Sequence, residues 1–493
     1  RTDLAAKTST KIFTSIPEKQ KVWMSHGDAV SQAPTGFTVC ASTADTPIAA
    51  FENESGRLAG VQFHPEVLHS EHGQAILKNW LLNIAGCTPT WTTANRPTSP
   101  ITGQAGYNTT LAQLELYNGT TWSTISIVLP TLLSITGDVY SGLATNLTIL
   151  GTTLGLTPGI FRFTSGGVIA DVSVTPVGTN TITIAVPASI RAIAAGNTVS
   201  IAFINDLGVS NIIVLPIYGL PNGGTRTTSG AYSYNAITST TNLVITKQVD
   251  IEYLIIAGGG AGGHRHAGGG GAGGVLSGTF TAQPQTYVAT VGAGGAKLAS
   301  PHNQYDIVGN SGTNSSLFGL TAIGGGGGGS NGQFGISGGS AGGDGERTNR
   351  YSGTAGTTGQ GFAGGGTETT NYGGGGGGGG SGGIGINGPN SILSGTGGRG
   401  GPGKNTWSAW ASATNTGVSG FYAGGGGAGG YSLGGYSALG GSGGGGNGGG
   451  DTRSGADGAT NTGSGGGGGG QDTIAVAGSG ASGIIIVKYL TPT

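Results

Sequence analysis

The chain has 493 residues, of which 110 are glycine, and its 20 basic and 21 acidic side chains leave a net charge of −1. This balance gives no support to nucleic-acid binding by phosphate neutralisation, and no apolar stretch approaches the ~18 residues of a membrane-spanning helix. Two cysteines are too few for a disulfide framework or a cysteine-based zinc site. The sequence begins at Arg1 without a secretory signal pattern, so we expect a processed chain or a fragment.

Glycine and charge divide the chain into segments of different composition. Residues 251–493 hold 87 of the glycines, whereas residues 1–96 hold 16 of the charged side chains and four of the seven histidines. Residues 97–250 carry few charges and are rich in Thr, Ser, Asn, Ile and Val. We therefore predict a multidomain protein with boundaries near 96 and 245: an α/β fragment, an all-β sandwich and a glycine-rich domain.

The first segment carries a candidate acid–base pair. Residues 60–63 predict a short strand that ends at His64, and apolar residues then recur at helical spacing over 76–84. His64 and Glu66 are two residues apart, so on extended chain their side chains project to the same face. A carboxylate there can hold the tautomer of the imidazole while the other ring nitrogen serves a nucleophile.

Three blocks occur in order around this pair, at 21–28 (KVWMSHGD), 46–50 (TPIAA) and 60–67 (GVQFHPEV). In that order and spacing, residues 1–92 resemble the C-terminal half of the class I glutamine amidotransferase module of GMP synthase. The resemblance implies that His64 is the general base, that Glu66 orients it, and that glutamine is the substrate of the completed module. It assigns no individual roles within the loop at 25–28.

The resemblance also implies a nucleophilic cysteine in a Gly-x-Cys-x-Gly turn, which this sequence lacks. Cys40 lies in a strand-like run and is expected to be a small, half-buried core residue, and Cys87 matches a family position that is not catalytic. We therefore expect no glutaminase activity, and we predict no cofactor and no metal. The absent part of the module is expected to contain several strands of the central sheet, which disfavours folding of residues 1–92 by themselves.

The middle of the chain predicts β structure. Residues 93–126 predict a short adaptor hairpin that turns at Asn118 and Gly119, and they resemble a module that recurs in phage structural proteins. Residues 127–220 contain β-branched runs at 146–150, 181–186 and 198–203, which predict a sandwich. This segment resembles an IPT/TIG-type immunoglobulin-like domain, a type that serves as spacer or binding module.

Residues 246–493 are glycine runs interrupted by short polar or aromatic islands. A flexible linker is one interpretation, because ordering glycine is costly in backbone entropy. The apolar runs at 251–256 and 484–489 argue against it, since they can pair and close a domain, and 286–291 offers a third strand. Collagen is excluded, because there is no strict Gly-x-y period. Runs such as 324–329 instead suit polyglycine II helices that hydrogen-bond to their neighbours.

This segment resembles the glycine-rich domains of phage tail-fibre tips and adhesins, which implies receptor binding through the islands between the glycine runs. Large amphipathic rings on rigid supports suit sugar or protein recognition. The candidate binding residues are Tyr305, Tyr351, Trp407, Trp410, Phe421 and Tyr422. The alternative is that these rings cover the glycine core. His264 and His266 alone do not predict a metal site.

Two classes of function remain. The first is a non-catalytic, phage-like structural protein or adhesin of a virion or cell surface, with a cell-surface glycan, an outer-membrane protein or virion proteins as partners. The second is a truncated cytoplasmic amidotransferase of the GMP synthase type, which would release ammonia from glutamine. A joining artefact between 91 and 97 is the simplest account of both in one chain.

Overall fold

The computed structural model describes all residues except 26–27, 54–57, 85–88, 126–128, 155–157, 176–179, 299–306, 347–351, 368–372, 390–395, 431–437, 472–474 and 493. The described residues form two compact units, Arg1–Ile217 and Tyr218–Thr493. Both are mostly β structure with few helices. No helix among the described residues has the length and apolar character to cross a membrane.

The N-terminal part of the first unit is an antiparallel five-stranded sheet with a short helix. In sheet order the strands are β2 (Lys19–Val22), β1 (Thr2–Ala6), β3 (Phe37–Ser42), β4 (Ala50–Asn53) and β5 (Ala59–Val61). Helix α1 (Gly73–Asn79) continues into a π-helical turn, Trp80–Ile84. Alternate strand residues and one face of α1 are buried in a common core. The predicted strand and helix are thus present, with the helix ending in a wider turn.

The next residues form a small sheet of four strands, β6 (Thr90–Trp91), β7 (Ala105–Asn108), β8 (Gln113–Tyr117) and β9 (Trp122–Thr124). The predicted hairpin at Asn118 and Gly119 is confirmed, since Tyr117 pairs with Trp122 across the turn. The Glu115 side chain of β8 is fully buried. It accepts hydrogen bonds from the Trp91 indole at 2.9 Å and from the Arg96 Nε at 3.0 Å.

Two antiparallel sheets follow and share one core. The first contains β10 (Thr131–Thr136), β12 (Asn146–Thr152) and β15 (Thr181–Ala185). The second contains β11 (Val139–Tyr140), β13 (Gly159–Ser165), β14 (Val168–Val174), β16 (Thr198–Asn205), β17 (Gly208–Val209) and β18 (Ile213–Tyr218). A short helix, α2 (Ala188–Arg191), follows β15. The predicted strands at 146–150, 181–186 and 198–203 are confirmed, whereas the immunoglobulin-like assignment stays a prediction.

The second unit is closed by a five-stranded sheet. Its order is β19 (Thr225–Ser229), β20 (Tyr232–Ile237), β27 (Ile484–Leu490), β22 (Val249–Ile256) and β23 (Val275–Ala282). Strands β22 and β27 pair antiparallel from Glu252 opposite Lys488 to Ile256 opposite Ile484. The predicted pairing of the two bracketing strands is therefore confirmed. Since β20 also pairs with β27, the unit includes residues before the expected start at 246.

The remaining short elements of this unit lie outside that sheet. Strand β21 (Thr241–Ile245) pairs with β24 (Gln285–Ala289), and β25 (Ser315–Leu317) pairs with β26 (Leu320–Ala322). The predicted strand at 286–291 thus belongs to a separate two-stranded sheet. Helix α3 (Ser408–Thr414) covers the core with its buried residues Trp410 and Ala411.

The glycine runs of the second unit are ordered by hydrogen bonds between runs. In the run that follows β22, successive N–H groups donate to three different neighbouring segments in turn, so every third residue donates to the same segment. Residues 257, 260 and 263 donate to Gly274, Gly271 and Gly268; residues 258 and 261 donate to Thr313 and Asn310; residues 259 and 262 donate to Ala481 and Gly478. A three-residue repeat is that of an extended helix of the polyproline II type, which has three residues per turn. The pattern is the one expected for packed polyglycine II helices.

The carbonyl groups of the same run accept from three further segments. Gly258 accepts from Gly325, Gly260 from Gly466, and Gly259 from Gly295. The run is therefore surrounded by six others, and its backbone groups are paired without any sheet or α-helix. Glycine is required for this approach: a Cβ at Gly260 would lie 2.1 Å from the Gly326 carbonyl oxygen.

Candidate active site

The backbone around His64 is held between two segments of the N-terminal sheet. His64 follows β5 and the buried Phe63, and its N–H donates to the Trp23 carbonyl oxygen over 2.9 Å. The Ser70 hydroxyl donates to the His64 carbonyl oxygen and accepts from the Trp23 N–H over 3.0 Å. These bonds connect the residues after β2 to the residues after β5. They bring Ser25, two residues beyond Trp23, next to the imidazole.

Three side chains form a hydrogen-bonded chain at this point. Glu66 Oε1 lies 2.8 Å from His64 Nδ1, and Ser25 Oγ lies 2.7 Å from His64 Nε2. The site is open to solvent, since 44% of the His64 side chain and 59% of the Glu66 side chain are exposed. The sequence predicted that His64 and Glu66 share a face, and the structure brings them into direct contact.

The charge of Glu66 determines the direction of these hydrogen bonds. The pKa of Glu66 is lowered, first by a hydrogen bond from its own backbone N–H and then by the His64 ring. An ionised carboxylate only accepts hydrogen bonds, so the proton of a neutral His64 ring lies on Nδ1. Nε2 is then the acceptor for the Ser25 hydroxyl. This is the arrangement of a general base that is oriented by a carboxylate.

Sequence reasoning missed the part played by Ser25. The residue stands in the block at 21–28, whose other members include His26 and Gly27, outside the described residues. Ser25 is 39 positions before His64, so no local spacing rule connects the two. The one signal in the sequence was that Ser25, a residue with a hydroxyl group, lies in the block at 21–28, which belongs to the same family resemblance as His64 and Glu66.

Cys40 is not placed to act as a nucleophile. It is fully buried in the core of the N-terminal sheet, where its Sγ donates to the Thr38 carbonyl oxygen over 3.2 Å. Burial, followed by the charge of Glu52, raises the pKa of the thiol to about 11. Because the thiolate is the reactive form, this cysteine is inert at neutral pH. It is a core residue, more deeply buried than expected; Cys87 lies outside the described residues.

The aromatic binding candidates require correction. Trp410 is 8% exposed and Tyr422 is 0% exposed, because both pack against the apolar side chains of β22 and β27. Rings that are buried in the core cannot stack on a sugar. For Trp410 and Tyr422 the alternative interpretation therefore holds, in which the rings cover the core. Trp407 and Phe421 are partly buried. Tyr305 and Tyr351 lie outside the described residues.

His264 and His266 of the glycine-rich unit are buried. His266 Nδ1 lies 3.4 Å from a carboxylate oxygen of Glu346, and both side chains are almost completely buried. His264 is 4% exposed. Among the described residues, no group of three metal-ligating side chains occurs.

Family comparisons match the two ends of the chain separately. A model described as a glycine-rich domain matches residues 226–490, and a model described as glutamine amidotransferase class-I matches residues 2–84. The N-terminal match includes His64 and Glu66. The glycine-rich match covers more than half of the chain.

Curated GMP synthases match the N-terminal part of the chain. The GMP synthase [glutamine-hydrolyzing] of Thermobifida fusca is 57% identical over 95 residues, 19% of this chain and 18% of the relative. That of Corynebacterium glutamicum (strain R) is 64% identical over 75 residues, 15% of this chain and 14% of the relative. A solved structure of a putative GMP synthase subunit from Thermoplasma acidophilum is 32% identical, with a TM-score of 0.17, and covers 17% of this chain and 43% of that one. The chain spans less than a fifth of the length of these curated relatives.

Proposed function

Since the chain belongs to the glycine-rich domain family over residues 226–490, we propose that it is a structural protein of a virion or cell surface whose glycine-rich unit has no catalytic role. In this proposal the glycine-rich unit is a rigid scaffold that presents the segments between its glycine runs to a receptor. The receptor is a cell-surface glycan or an outer-membrane protein. The supporting observation is the three-residue repeat of hydrogen bonds between runs.

That repeat supports rigidity rather than a flexible linker. Each N–H of the run from 257 to 263 is paired with another run, so one run cannot leave without stranding the backbone groups of its neighbours. The pairing of β22 with β27 closes the unit at one end. A scaffold of this kind is made rigid by backbone hydrogen bonds and needs few large side chains.

Several glycine runs are hydrogen-bonded to one another near their ends. The His266 N–H donates to the Gly470 carbonyl oxygen, and the Glu346 N–H donates to the His266 carbonyl oxygen. The Gly430 N–H donates to Gly449 in the same way. These bonds hold the described run ends at His266, Glu346 and Gly470 together, which favours a binding tip there.

The proposal is tested by binding of the full chain to a panel of bacterial cells. Saturable binding that periodate treatment of the cells abolishes indicates a glycan, and binding that protease treatment abolishes indicates a surface protein. Gly260→Ala, which disrupts the array, lowers binding, whereas Gly383→Ala leaves it unchanged. Rapid proteolysis throughout residues 218–493 under native conditions contradicts the scaffold, and absence of saturable binding across the panel contradicts the receptor role.

The amidotransferase is the second candidate, because residues 2–84 match that family and His64 contacts Glu66 at 2.8 Å. Thioester chemistry also needs a cysteine thiolate beside His64 Nε2. In this structure the Ser25 hydroxyl lies at that position. We therefore expect no ammonia release from glutamine by the full chain. Ammonia release that disappears in His64→Ala would establish the second candidate instead.

A further inference from the structure

We propose that Ser25, His64 and Glu66 form a serine-nucleophile site that reacts with small activated esters. Ser25 Oγ is 2.7 Å from His64 Nε2, and His64 Nδ1 is 2.8 Å from Glu66 Oε1. These are the contacts of nucleophile to base and of base to orienting carboxylate that nucleophilic catalysis requires. The reaction differs from glutamine hydrolysis in both the nucleophile and the substrate class.

The contact between Ser25 and His64 is maintained by the backbone. Trp23 and Ser70 hold the backbone of His64 through three hydrogen bonds, from the His64 N–H to Trp23, from the Ser70 hydroxyl to His64, and from the Trp23 N–H to Ser70. Ser25 is two residues from the first of these anchors. The short Oγ–Nε2 distance therefore follows from the pairing of two chain segments and not from two free side chains alone.

The openness of the site indicates the substrate class. Ser25 is exposed and so is much of the imidazole, so a small soluble acyl donor can reach the hydroxyl without a conformational change. An ester with a phenolate leaving group needs little further help, because the phenolate is stable in water once the bond breaks. This geometry supplies the activation of the Ser25 hydroxyl by the His64 base.

The reaction is balanced over two steps. Ser25 Oγ forms a bond to the ester carbonyl carbon as its proton passes to His64 Nε2, and the carbon–oxygen bond to the phenolate breaks. The phenolate leaves and the proton returns from Nε2 to it or to solvent. Water then attacks the acyl-serine carbon and gives a proton to His64 Nε2. The bond from that carbon to Ser25 Oγ breaks, Nε2 returns the proton to Oγ, and the carboxylic acid leaves with Ser25 restored. Glu66 touches no reacting atom and acts as a positioning residue.

The experiment labels the full chain with a fluorophosphonate and measures the modification of individual serines by peptide mass spectrometry. Ser31, an exposed serine six positions away, is the reference within the same molecule. Base activation predicts that Ser25 is modified about 10²-fold or more faster than Ser31. p-Nitrophenyl acetate should give a burst of one nitrophenolate per chain. Equal labelling of the two serines overturns the proposal.

Variants separate activation from simple exposure. His64→Ala should reduce the labelling rate of Ser25 to that of Ser31. His64→Gln keeps a polar side chain and should give the same result, so it serves as the test if His64→Ala folds poorly. Glu66→Gln should lower the Ser25 rate about 10-fold or more while the Ser31 rate and the circular dichroism stay unchanged. Ser25→Ala should remove the burst. A Ser25 rate that survives loss of the imidazole contradicts the proposed base.

Discussion

Gly260→Ala places a methyl group against a neighbouring glycine run and so tests how closely the runs pack. The Cβ would lie 2.1 Å from the Gly326 carbonyl oxygen and 2.9 Å from the Gly327 nitrogen. Ordinary contacts between non-bonded heavy atoms are near 3.5 Å, so the run containing Gly326 has to move by more than ~1 Å. It cannot rotate a side chain away, because both obstructing groups are backbone.

The movement breaks hydrogen bonds that can be named. The Gly325 N–H donates to Gly258 over 2.8 Å, and the Gly328 N–H donates to Ala261 over 2.9 Å. A shift of ~1 Å takes both beyond the ~3.2 Å limit of a normal hydrogen bond. Each broken bond leaves a buried N–H and a buried carbonyl unpaired and costs about 1–3 kcal/mol. After the lower entropy of unfolded alanine returns about 0.4–1 kcal/mol, the two losses lower the free energy of unfolding by about 1–6 kcal/mol.

Hydrogen exchange of the full chain, read by peptide mass spectrometry, measures this loss in the peptides that cover 257–274 and 324–329. The matched control is Gly383→Ala, whose Cβ would meet only the ring of Pro402 at 3.2 Å. We expect the control to change protection by less than ~1 kcal/mol. Equal protection in Gly260→Ala and the unchanged chain would refute the packing of the array described above.

Three further predictions concern other parts of the chain. The hydrogen bond from Arg96 lowers the pKa of the Glu115 carboxyl to about 2, so its stabilisation is complete above the ordinary pKa near 4.5 and is lost as the pH falls towards 2. Glu115→Gln should therefore lower the free energy of urea unfolding by about 2–4 kcal/mol at pH 7, and the difference should shrink below pH 4.5. Cys40, with a pKa of about 11, should resist iodoacetamide at pH 8 in the native chain and react at the rate of a small free thiol in urea; equal rates in both states would contradict its burial. Trp410→Ala should cost about 3–5 kcal/mol in stability, measured by thermal unfolding, whereas Phe334→Ala, at a side chain that is 51% exposed, should cost less than ~1 kcal/mol. A loss of binding in Trp410→Ala at full stability would restore the binding role that burial argues against.

Local sequence patterns predicted the elements that local forces determine. The β-branched runs became β12, β15 and β16, because branched side chains suit a half-buried pleated surface. The turn at Asn118 and Gly119 formed, since the Asn118 side chain accepts from the N–H groups of Thr120 and Thr121. These outcomes depend on residues a few positions apart.

The candidate site shows where local reasoning ends. His64 and Glu66 are two positions apart, and their common face follows from extended geometry. Ser25 reaches the same imidazole from another strand end, so its role depends on how β2 and β5 are placed in the sheet. The same holds for two of the aromatic candidates, because only the packing against β22 and β27 shows that Trp410 and Tyr422 face inwards.

The sequence by itself determined that the glycine-rich half lacks side-chain volume, is bracketed by apolar strands and can bring its backbones close together. Glycine runs are chemically alike, so nothing in their composition states which run lies beside which. Only the tertiary structure decided that the run after β22 is surrounded by six others with partners that repeat every third residue. The physical reason is that backbone hydrogen bonds are the same at every glycine, and their partners are chosen by chain connections and by the antiparallel pairing of β22 with β27.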